Sequence, residues 1–406
     1  MSASHTARFA NFFSALFTFI IIVKFSSNYS TYAWIIGSVF ILFDFFISYR
    51  NNTPIFPELN WSRIKLPLAG YLVLYVSILL ASVFTFDISN IKLCLVFLKF
   101  SLPMWFIIYL NGKFNATNGI LTGITAGSAV ISGLGLYQWI THSVPENRIY
   151  SVFTPFPNMF GTMLILLLPF LFYTLFHVKK KSCKAIVLIV IAGMLISLLG
   201  TNSRGAVLGL AAAGIVCLVA IFLSALKSHT LSKKIILSMF SMLILSCSAL
   251  GYMGLINHNR FGSFSNFNNG EERVLLWKAS YHMWQDHKVL GIGFAHFNEA
   301  YYSPQYHPAE GKEKNLGVPH STPMHFLACT GLIGLIGYIS HLATVIITLF
   351  KSLVTKHNKV ISIVFLGAFT AFTTQGLIDM SITSKTPAQL YFLLFGFFLS
   401  TISRQK

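Results

Sequence analysis

Residues 185–226 read AIVLIVIAGMLISLLGTNSRGAVLGLAAAGIVCLVAIFLSAL. Two apolar runs, at 185–200 and 205–226, stand on either side of a short polar break. Each run is close to the length of about 20 residues that an α-helix needs to cross a bilayer. Comparable runs recur along the whole chain. The sequence therefore predicts an all-α integral membrane protein.

The composition of the chain leads to the same prediction. Of its 406 residues, 55% are hydrophobic and only 10% are charged, and the mean hydropathy is +0.69. A soluble globular protein has about 25% charged residues, which cover its surface. This composition excludes an ordinary soluble protein. The five cysteines have no metal-ligand spacing, so neither a disulfide framework nor a zinc site is expected.

Twelve apolar runs bounded by polar breaks predict about twelve transmembrane helices. They lie near residues 9–26, 32–48, 66–86, 91–110, 119–140, 158–177, 185–200, 205–226, 235–256, 323–350, 360–378 and 388–402. This division places helices 1–9 in residues 1–256, one long loop in residues 257–319, and helices 10–12 in residues 320–406.

Lys and Arg residues predict the orientation of these helices. With a cytoplasmic N-terminus, 17 of the 29 cations fall in cytoplasmic segments, whereas the short outer segments hold Arg148, Arg204 and Lys385. Because short cytoplasmic loops are enriched in Lys and Arg, we expect both termini in the cytoplasm and the long loop outside. The net charge of +18 then faces anionic membrane lipids, and no nucleic-acid partner is expected.

The long loop holds six of the eleven acidic residues. After a Gly-rich break at 262–270, apolar residues at Val274, Trp277, Tyr281 and Trp284 follow helical spacing. This pattern predicts an amphipathic helix on the membrane surface, with the Gly-rich break as its hinge.

Carboxylates are scarce within the predicted spans. Asp44 is the one acidic residue inside an apolar run, while Asp87 and Asp379 lie at the outer ends of spans. Proton-coupled carriers use intramembrane acids as relays, so this scarcity disfavours a carrier. A bound divalent cation needs clustered carboxylates, so we expect no metal and no cofactor.

Two short motifs lie on the predicted outer side. Residues 200–208 read GTNSRGAVL, in which Arg204 and Leu208 form an R-x3-L pattern, and His320 with Gly331 forms an H-x10-G pattern. Together with the twelve spans and the single long outer loop, these motifs resemble the O-antigen ligase family. Its members are membrane glycosyltransferases that complete lipopolysaccharide. The motifs extend over residues 190 to 350, and the remainder of the chain is similar by topology alone.

The resemblance implies a GT-C-like fold in the bacterial inner membrane. It implies transfer of a glycan from undecaprenyl diphosphate to the lipid A-core oligosaccharide at the periplasmic face, by inverting attack and without a metal. It also implies roles for particular residues. The catalytic residues would be His320, Arg204 and Arg273, and the neighbours that bind substrate would be Lys278, His282 and His325.

These residue types suit that chemistry. The planar guanidinium group binds phosphate oxygens in a fixed fork and stays charged, so arginine can neutralise a departing diphosphate. Histidine can remove the proton of the acceptor hydroxyl. We expect Thr322 to be the N-cap of the following helix, with Pro323 as its first residue, and the positive end of that helix favours a neutral imidazole at His320.

Several alternatives stay open. An arginine at the end of a span also serves as an anchor for lipid phosphate, and Arg273 has possible partners in Glu271 and Glu272. Aromatic side chains such as Trp277 either stack on sugars or anchor the loop in the membrane. An O-antigen polymerase would use the same donor, and a flippase for lipid-linked oligosaccharides would need charged residues along a central cavity.

Overall fold

The computed structural model describes residues 3–24, 28–85, 87–143, 148–150, 156–228, 244, 272–309, 317–355 and 358–404. Within these ranges the chain forms thirteen helices and one isolated antiparallel bridge, between Leu59 and Arg404. The prediction of an all-α integral membrane protein is confirmed.

Eleven of the described helices are long and apolar enough to cross a membrane. They are α1 (Ala3–Val23), α2 (Tyr29–Arg50), α3 (Trp61–Phe84), α4 (Ile88–Phe114), α5 (Thr117–Thr141), α6 (Pro157–His177), α7 (Lys181–Gly200), α8 (Arg204–Ser228), α11 (Thr322–Leu353), α12 (Lys359–Gly376) and α13 (Lys385–Ser403). The shorter helices α9 (Glu272–Asp286) and α10 (Phe297–Tyr301) lie between α8 and α11.

Eleven of the twelve predicted spans coincide with these helices. The ninth, at 235–256, lies outside the described residues apart from Ile244, and so do the Gly-rich break at 262–270 and Glu271. The proposed division at residues 256 and 319 therefore stays a prediction.

The last helix, α13, forms the centre of the bundle. Of its membrane-spanning window 94% is buried, compared with 22% for α2. Its rings stack on those of α12, with centroids 4.6 Å apart for Phe365 and Phe398 and 4.7 Å apart for Phe372 and Tyr391. Since lipid tails are as apolar as these side chains, close van der Waals packing of this kind holds membrane helices together.

The two ends of the bundle are named here by residues that lie at each. At the carboxy-terminal end, the Asn60 backbone N–H donates to the Ser403 carbonyl (2.8 Å), and the Arg63 guanidinium donates to the Ile402 carbonyl (2.9 Å). The opposite end, where α6, α8, α11 and α13 begin, is called the His320 end below.

Asp44, the acidic residue within a span, has a structural role. Its buried carboxylate accepts from the Lys113 ammonium at 2.6 Å and from the Tyr109 hydroxyl. The same ammonium group donates to Ser48 Oγ at 2.8 Å and to the Ile55 carbonyl at 3.1 Å. A buried charge that is paired and hydrogen-bonded in this way is tolerated in a low-dielectric interior.

Helix α11 is interrupted at Gly331, the glycine of the H-x10-G pattern. This residue has φ 60° and ψ −156°, outside the helical region. The backbone of residues 288–293 fills the break. The carbonyls of Ala328 and Cys329 accept from the N–H groups of Ile292 (2.9 Å) and Gly293 (3.0 Å).

On the other side of the break, the Leu332 N–H donates to the Lys288 carbonyl at 2.9 Å. A Cβ atom at Gly331 would lie 2.4 Å from the carbonyl carbon of Val289, and one at Gly291 would lie 2.4 Å from the carbonyl carbon of Cys329. Two backbones therefore touch directly, and both positions require glycine. This contact fastens the segment after α9 to α11.

The face of α9 that packs on the bundle differs from the stripe expected from the sequence. The helix itself is present, but its buried apolar residues are Leu275, Leu276, Ala279 and Met283. Tyr281, one of the predicted stripe residues, is 45% exposed. The physical reason is that α9 packs against α11, whereas the expected stripe was read for a helix with one face in lipid.

We predict that Gly331→Ala destabilises the protein by about 1–3 kcal/mol, because the backbone conformation at this position is open essentially to glycine alone. Gly133→Ala is the matched control. Gly133 lies within α5, and its added Cβ would meet no atom within 4 Å. Thermal unfolding of the purified proteins is the measurement. An equal melting temperature for Gly331→Ala and the wild type would contradict the role given to the break.

Candidate functional site

His320 and Asp379 form a hydrogen-bonded pair at the start of α11. His320 Nδ1 lies 3.1 Å from Asp379 Oδ1. The His320 side chain is 29% exposed and that of Asp379 is 12% exposed. The carboxylate engages Nδ1, and the partial exposure of the ring leaves Nε2 able to donate or accept a further hydrogen bond.

Thr322 holds the chain around Asp379 in place. Its hydroxyl donates to the Asp379 carbonyl at 3.3 Å, and it accepts from the Ser381 N–H at 3.0 Å. The N-cap of α11 is Ser321, whose Oγ accepts from the Met324 N–H at 3.5 Å. The prediction of Thr322 as N-cap was wrong by one residue, because this hydroxyl is taken up by the segment after α12.

His320 itself has a left-handed backbone, with φ 47°. Histidine is one of the few residues besides glycine found there with some frequency. The preceding peptide is fixed from α9, since Trp277 Nε1 donates to the Pro319 carbonyl at 3.0 Å. Thus Trp277 ties α9 to the peptide before the histidine.

Arg273 lies one helical turn before Trp277, on the same face of α9. Its positive charge acts on Asp379. Burial of the Asp379 carboxyl opposes its ionisation, but the hydrogen bond and charge of His320, the Met380 N–H and the charge of Arg273 hold its pKa below the ordinary value. The structure therefore pairs His320 with Asp379, and the charge of Arg273 adds to the effects that favour the ionised carboxylate.

Arg204 begins α8 in a tight connection from α7. Asn202 has a left-handed backbone, with φ 50°, and Ser203 Oγ accepts from the Ala206 N–H at 3.4 Å. A Cβ at Gly205 would lie 3.2 Å from Ile378 Cδ1. The R-x3-L motif therefore packs against the residue before Asp379, on the same end of the bundle as His320.

A further arginine, Arg148, lies beside this connection. Its Nε donates to the Thr201 carbonyl at 3.2 Å, and its Nη2 donates to Asn158 Oδ1 at 3.0 Å. Sequence reasoning counted Arg148 only as an outer cation. Its presence among the few cations of the short outer segments was the one signal that could have identified it.

Several helices start at the His320 end, among them α6, α8, α11 and α13. The start of a helix carries a partial positive charge and unpaired N–H groups, and it attracts anions. Together with Arg148, Arg204 and Arg273, these helix starts make this end of the bundle suited to an anionic ligand.

Residues 187–339 match the family model described as O-antigen ligase. This matched segment contains Arg204, Arg273 and His320. Over these residues the chain is similar to the O-antigen ligase family. No curated protein sequence matches the chain significantly. The resemblance found in the two motifs is thereby confirmed, and the family is one of membrane glycosyltransferase-like ligases and polymerases.

Within the matched segment, the three predicted substrate-binding residues have different surroundings. Lys278 and His282 are exposed and lie one turn apart on another face of α9. His325 is buried, with its ring 5.2 Å from that of Phe294 and its Nδ1 3.7 Å from Cys329 Sγ. Its surroundings are those of a packing residue. Tyr301 is also buried, whereas Tyr302 is 36% exposed.

An apolar cavity of about 390 Å³ lies between α11 and α12. It begins beside Pro323 and Leu377, close in sequence to His320 and Asp379, and extends along α11 to Leu342. Among the described residues, no group of three or more His, Cys, Asp or Glu side chains is placed to hold a metal ion.

The segment after α9 is also fastened to the start of α4. His296 Nε2 contacts Asp87 Oδ2, and His296 Nδ1 lies 3.0 Å from Glu299 Oε2. In addition, the Ala295 N–H donates to Asn90 Oδ1 at 2.8 Å. Partial burial disfavours the imidazolium of His296, but its hydrogen bonds to Glu299 and Asp87 and their charges outweigh this and raise its pKa above 6.5.

We predict that this attachment weakens as the pH rises. Because the pKa of folded His296 is raised, its contribution is fully present below its ordinary pKa of 6.5 and is lost as the pH rises through the folded value. Hydrogen exchange of residues 293–301, corrected for the intrinsic pH dependence, should be faster at pH 8 than at pH 6. In His296→Gln, this difference should disappear. If wild type and variant show the same difference, His296 does not control the attachment.

Proposed function

We propose that this protein is an O-antigen ligase. It transfers a glycan from undecaprenyl diphosphate to the lipid A-core oligosaccharide at the periplasmic face of the bacterial inner membrane, with both termini in the cytoplasm. The observation that carries the proposal is the His320–Asp379 pair, which lies 3.1 Å apart and has Arg273 beside it.

His320 acts as the general base in this proposal. Its Nδ1–H donates to the ionised Asp379, which fixes the ring and stabilises the imidazolium that forms on proton uptake. Nε2 accepts the proton of the acceptor hydroxyl. As this proton leaves, the acceptor oxygen attacks the anomeric carbon of the donor sugar.

The arginines stabilise the leaving group. Attack at the anomeric carbon breaks its bond to the diphosphate oxygen, which leaves with the electron pair and an added negative charge. In this proposal the leaving group is neutralised by Arg204 at the start of α8 and Arg273 on α9, which lie at the same end of the bundle. Because the acceptor attacks directly, the configuration inverts, no covalent enzyme intermediate forms, and the transfer is expected to proceed without a metal.

The apolar cavity suits the lipid part of the donor. An isoprenoid chain needs an apolar path that starts near the diphosphate and leads into the membrane. The cavity between α11 and α12 starts beside Pro323 and Leu377 and is lined mainly by apolar side chains. A diphosphate near Arg204 and Arg273 would then have its chain directed along α11.

We predict that His320→Ala lowers transfer by about 10² to 10⁴, the usual contribution of a general base. Asp379→Asn should lower it by about 10- to 100-fold, since it removes the charge that orients and supports the base. The assay uses purified protein in proteoliposomes with undecaprenyl-diphosphate-linked glycan and lipid A-core acceptor. His177→Ala, at the carboxy-terminal end, is the control.

His325→Ala should have a milder effect on transfer than His320→Ala. A larger loss in His325→Ala than in His320→Ala would show that His325, and not His320, is the base. Full activity of His320→Ala, with normal membrane insertion, would refute the proposed mechanism.

We predict that Arg204→Lys and Arg273→Lys both lose most of their transfer activity, although the charge is kept. A lysine ammonium is a point charge and cannot reproduce the two parallel hydrogen bonds of the guanidinium fork. Arg50→Lys, an exposed position at the carboxy-terminal end, is the matched control and should keep full activity. Steady-state transfer rates at saturating donor are the measurement. If Arg273→Lys were fully active, Arg273 would act only as a surface charge.

A further inference from the structure

A second group of cations also lies at the His320 end of the bundle, where α1 finishes and α2 and α13 begin. Lys24 follows α1 in a left-handed conformation, with φ 53°. Its side chain is only 1% exposed, and its ammonium nitrogen has no hydrogen-bond partner in the structure. A long cationic side chain is thus folded into the protein, where water does not reach it.

Lys385, the first residue of α13, contacts the same aromatic ring as Lys24. The Lys24 Nζ atom lies 5.4 Å from the centroid of the Tyr29 ring, and the Lys385 Nζ atom lies 5.0 Å from it. The Tyr29 ring is held in place because its hydroxyl donates to the buried Gln389. Lys385 is exposed, so the Tyr29 ring is contacted by one buried cation and one exposed cation.

The charges of this group are not balanced within the described part of the protein. There, neither lysine has an ion pair with a carboxylate. Burial and the positive charge of Lys385 lower the pKa of Lys24 well below its ordinary value. The N-cap of α13, Ser384, makes no capping hydrogen bond with its side chain, so the positive end of this helix adds to the positive charge near Lys385.

We propose that Lys24, Lys385 and the start of α13 form a binding site for the phosphate group of a membrane lipid. A phosphate would provide the counter-charge that both ammonium groups lack and would accept their hydrogen bonds. The outward face of α2, on the other side of the helix from Tyr29, presents apolar side chains to lipid, since Ile35, Val39 and Leu42 are more than half exposed (55%, 54% and 69%). A cationic site at the end of membrane-spanning helices fits the phosphate of a lipid better than a free anion.

The proposed lipid site is connected to the His320–Asp379 pair. Only residues 380–384 separate Asp379 from Lys385, and a chain of this length spans at most about 20 Å. The proposal does not depend on glycan transfer, because it concerns binding alone and is tested by binding alone. Its failure would leave the proposed transfer reaction untouched.

The test uses the purified full-length protein in non-ionic detergent and measures thermal unfolding as lipid is added. Phosphatidylglycerol and phosphorylated lipid A are the two phosphate-bearing lipids, and diacylglycerol, which has no phosphate, is the lipid control. Inorganic phosphate serves as the free anion. Both phosphate lipids should raise the melting temperature more than diacylglycerol does, and the stronger of the two identifies the source of the phosphate.

Lys24→Met and Lys385→Met should each raise the lipid concentration for half-maximal stabilisation by about tenfold or more, the usual effect of losing one charged hydrogen bond. Lys92→Met is the matched control, since it removes an exposed lysine near the start of α4 at the same end. It should bind lipid like the wild type. Without lipid, Lys24→Met should be at least as stable as the wild type, because it removes a buried ammonium that has no partner.

Two results would overturn the proposal. One is unchanged lipid affinity in both Lys24→Met and Lys385→Met. The other is stabilisation by inorganic phosphate at the same concentrations as phosphatidylglycerol, which would show that the site takes a free anion and gains nothing from a lipid.

Discussion

The break of α11 at Gly331 is the constraint on which the rest of the His320 end depends. Two backbones touch there, and the hydrogen bonds that α11 loses at the break are made instead with residues 288–293. Only a residue without a side chain fits between them. Because this contact fixes the segment that follows α9, it also fixes α9 against α11, and with it the indole and guanidinium groups of Trp277 and Arg273. A glycine outside the His320–Asp379 pair thus sets the geometry around that pair.

The site is assembled from parts of the chain that are distant in sequence. Thr322 binds both Asp379 and Ser381, so the start of α11 positions the segment after α12. Asp379 in turn orients His320, and the charge of Arg273 helps to keep Asp379 ionised. The R-x3-L motif reaches the same segment through the contact of Gly205 with Ile378. The proposed base, its orienting carboxylate and the arginines proposed for the leaving diphosphate therefore lie at the starts of several helices.

Much of the fold follows from the sequence because a bilayer imposes one simple rule, that a span is an apolar run of fixed length. The motifs also pointed to Arg204 and His320, which lie at the same end of the bundle. Asp379 was not identified as the partner of His320, since 59 residues separate them and only the packing of α11 on α12 brings them together. The packed face of α9 was missed for a similar reason. A stripe of apolar residues shows that a helix has an apolar face, but it does not show whether lipid or protein covers that face.

The central claim is that this protein completes lipopolysaccharide by attaching the finished glycan to the lipid A core. Deleting the gene in its bacterial host and displaying the lipopolysaccharide on a gel tests this claim most directly. The account predicts core without any O-chain, together with accumulation of the lipid-linked polymer. Core that carries a single repeat unit would contradict it and indicate a polymerase, and absence of the lipid-linked donor from the outer face of the membrane would indicate a flippase.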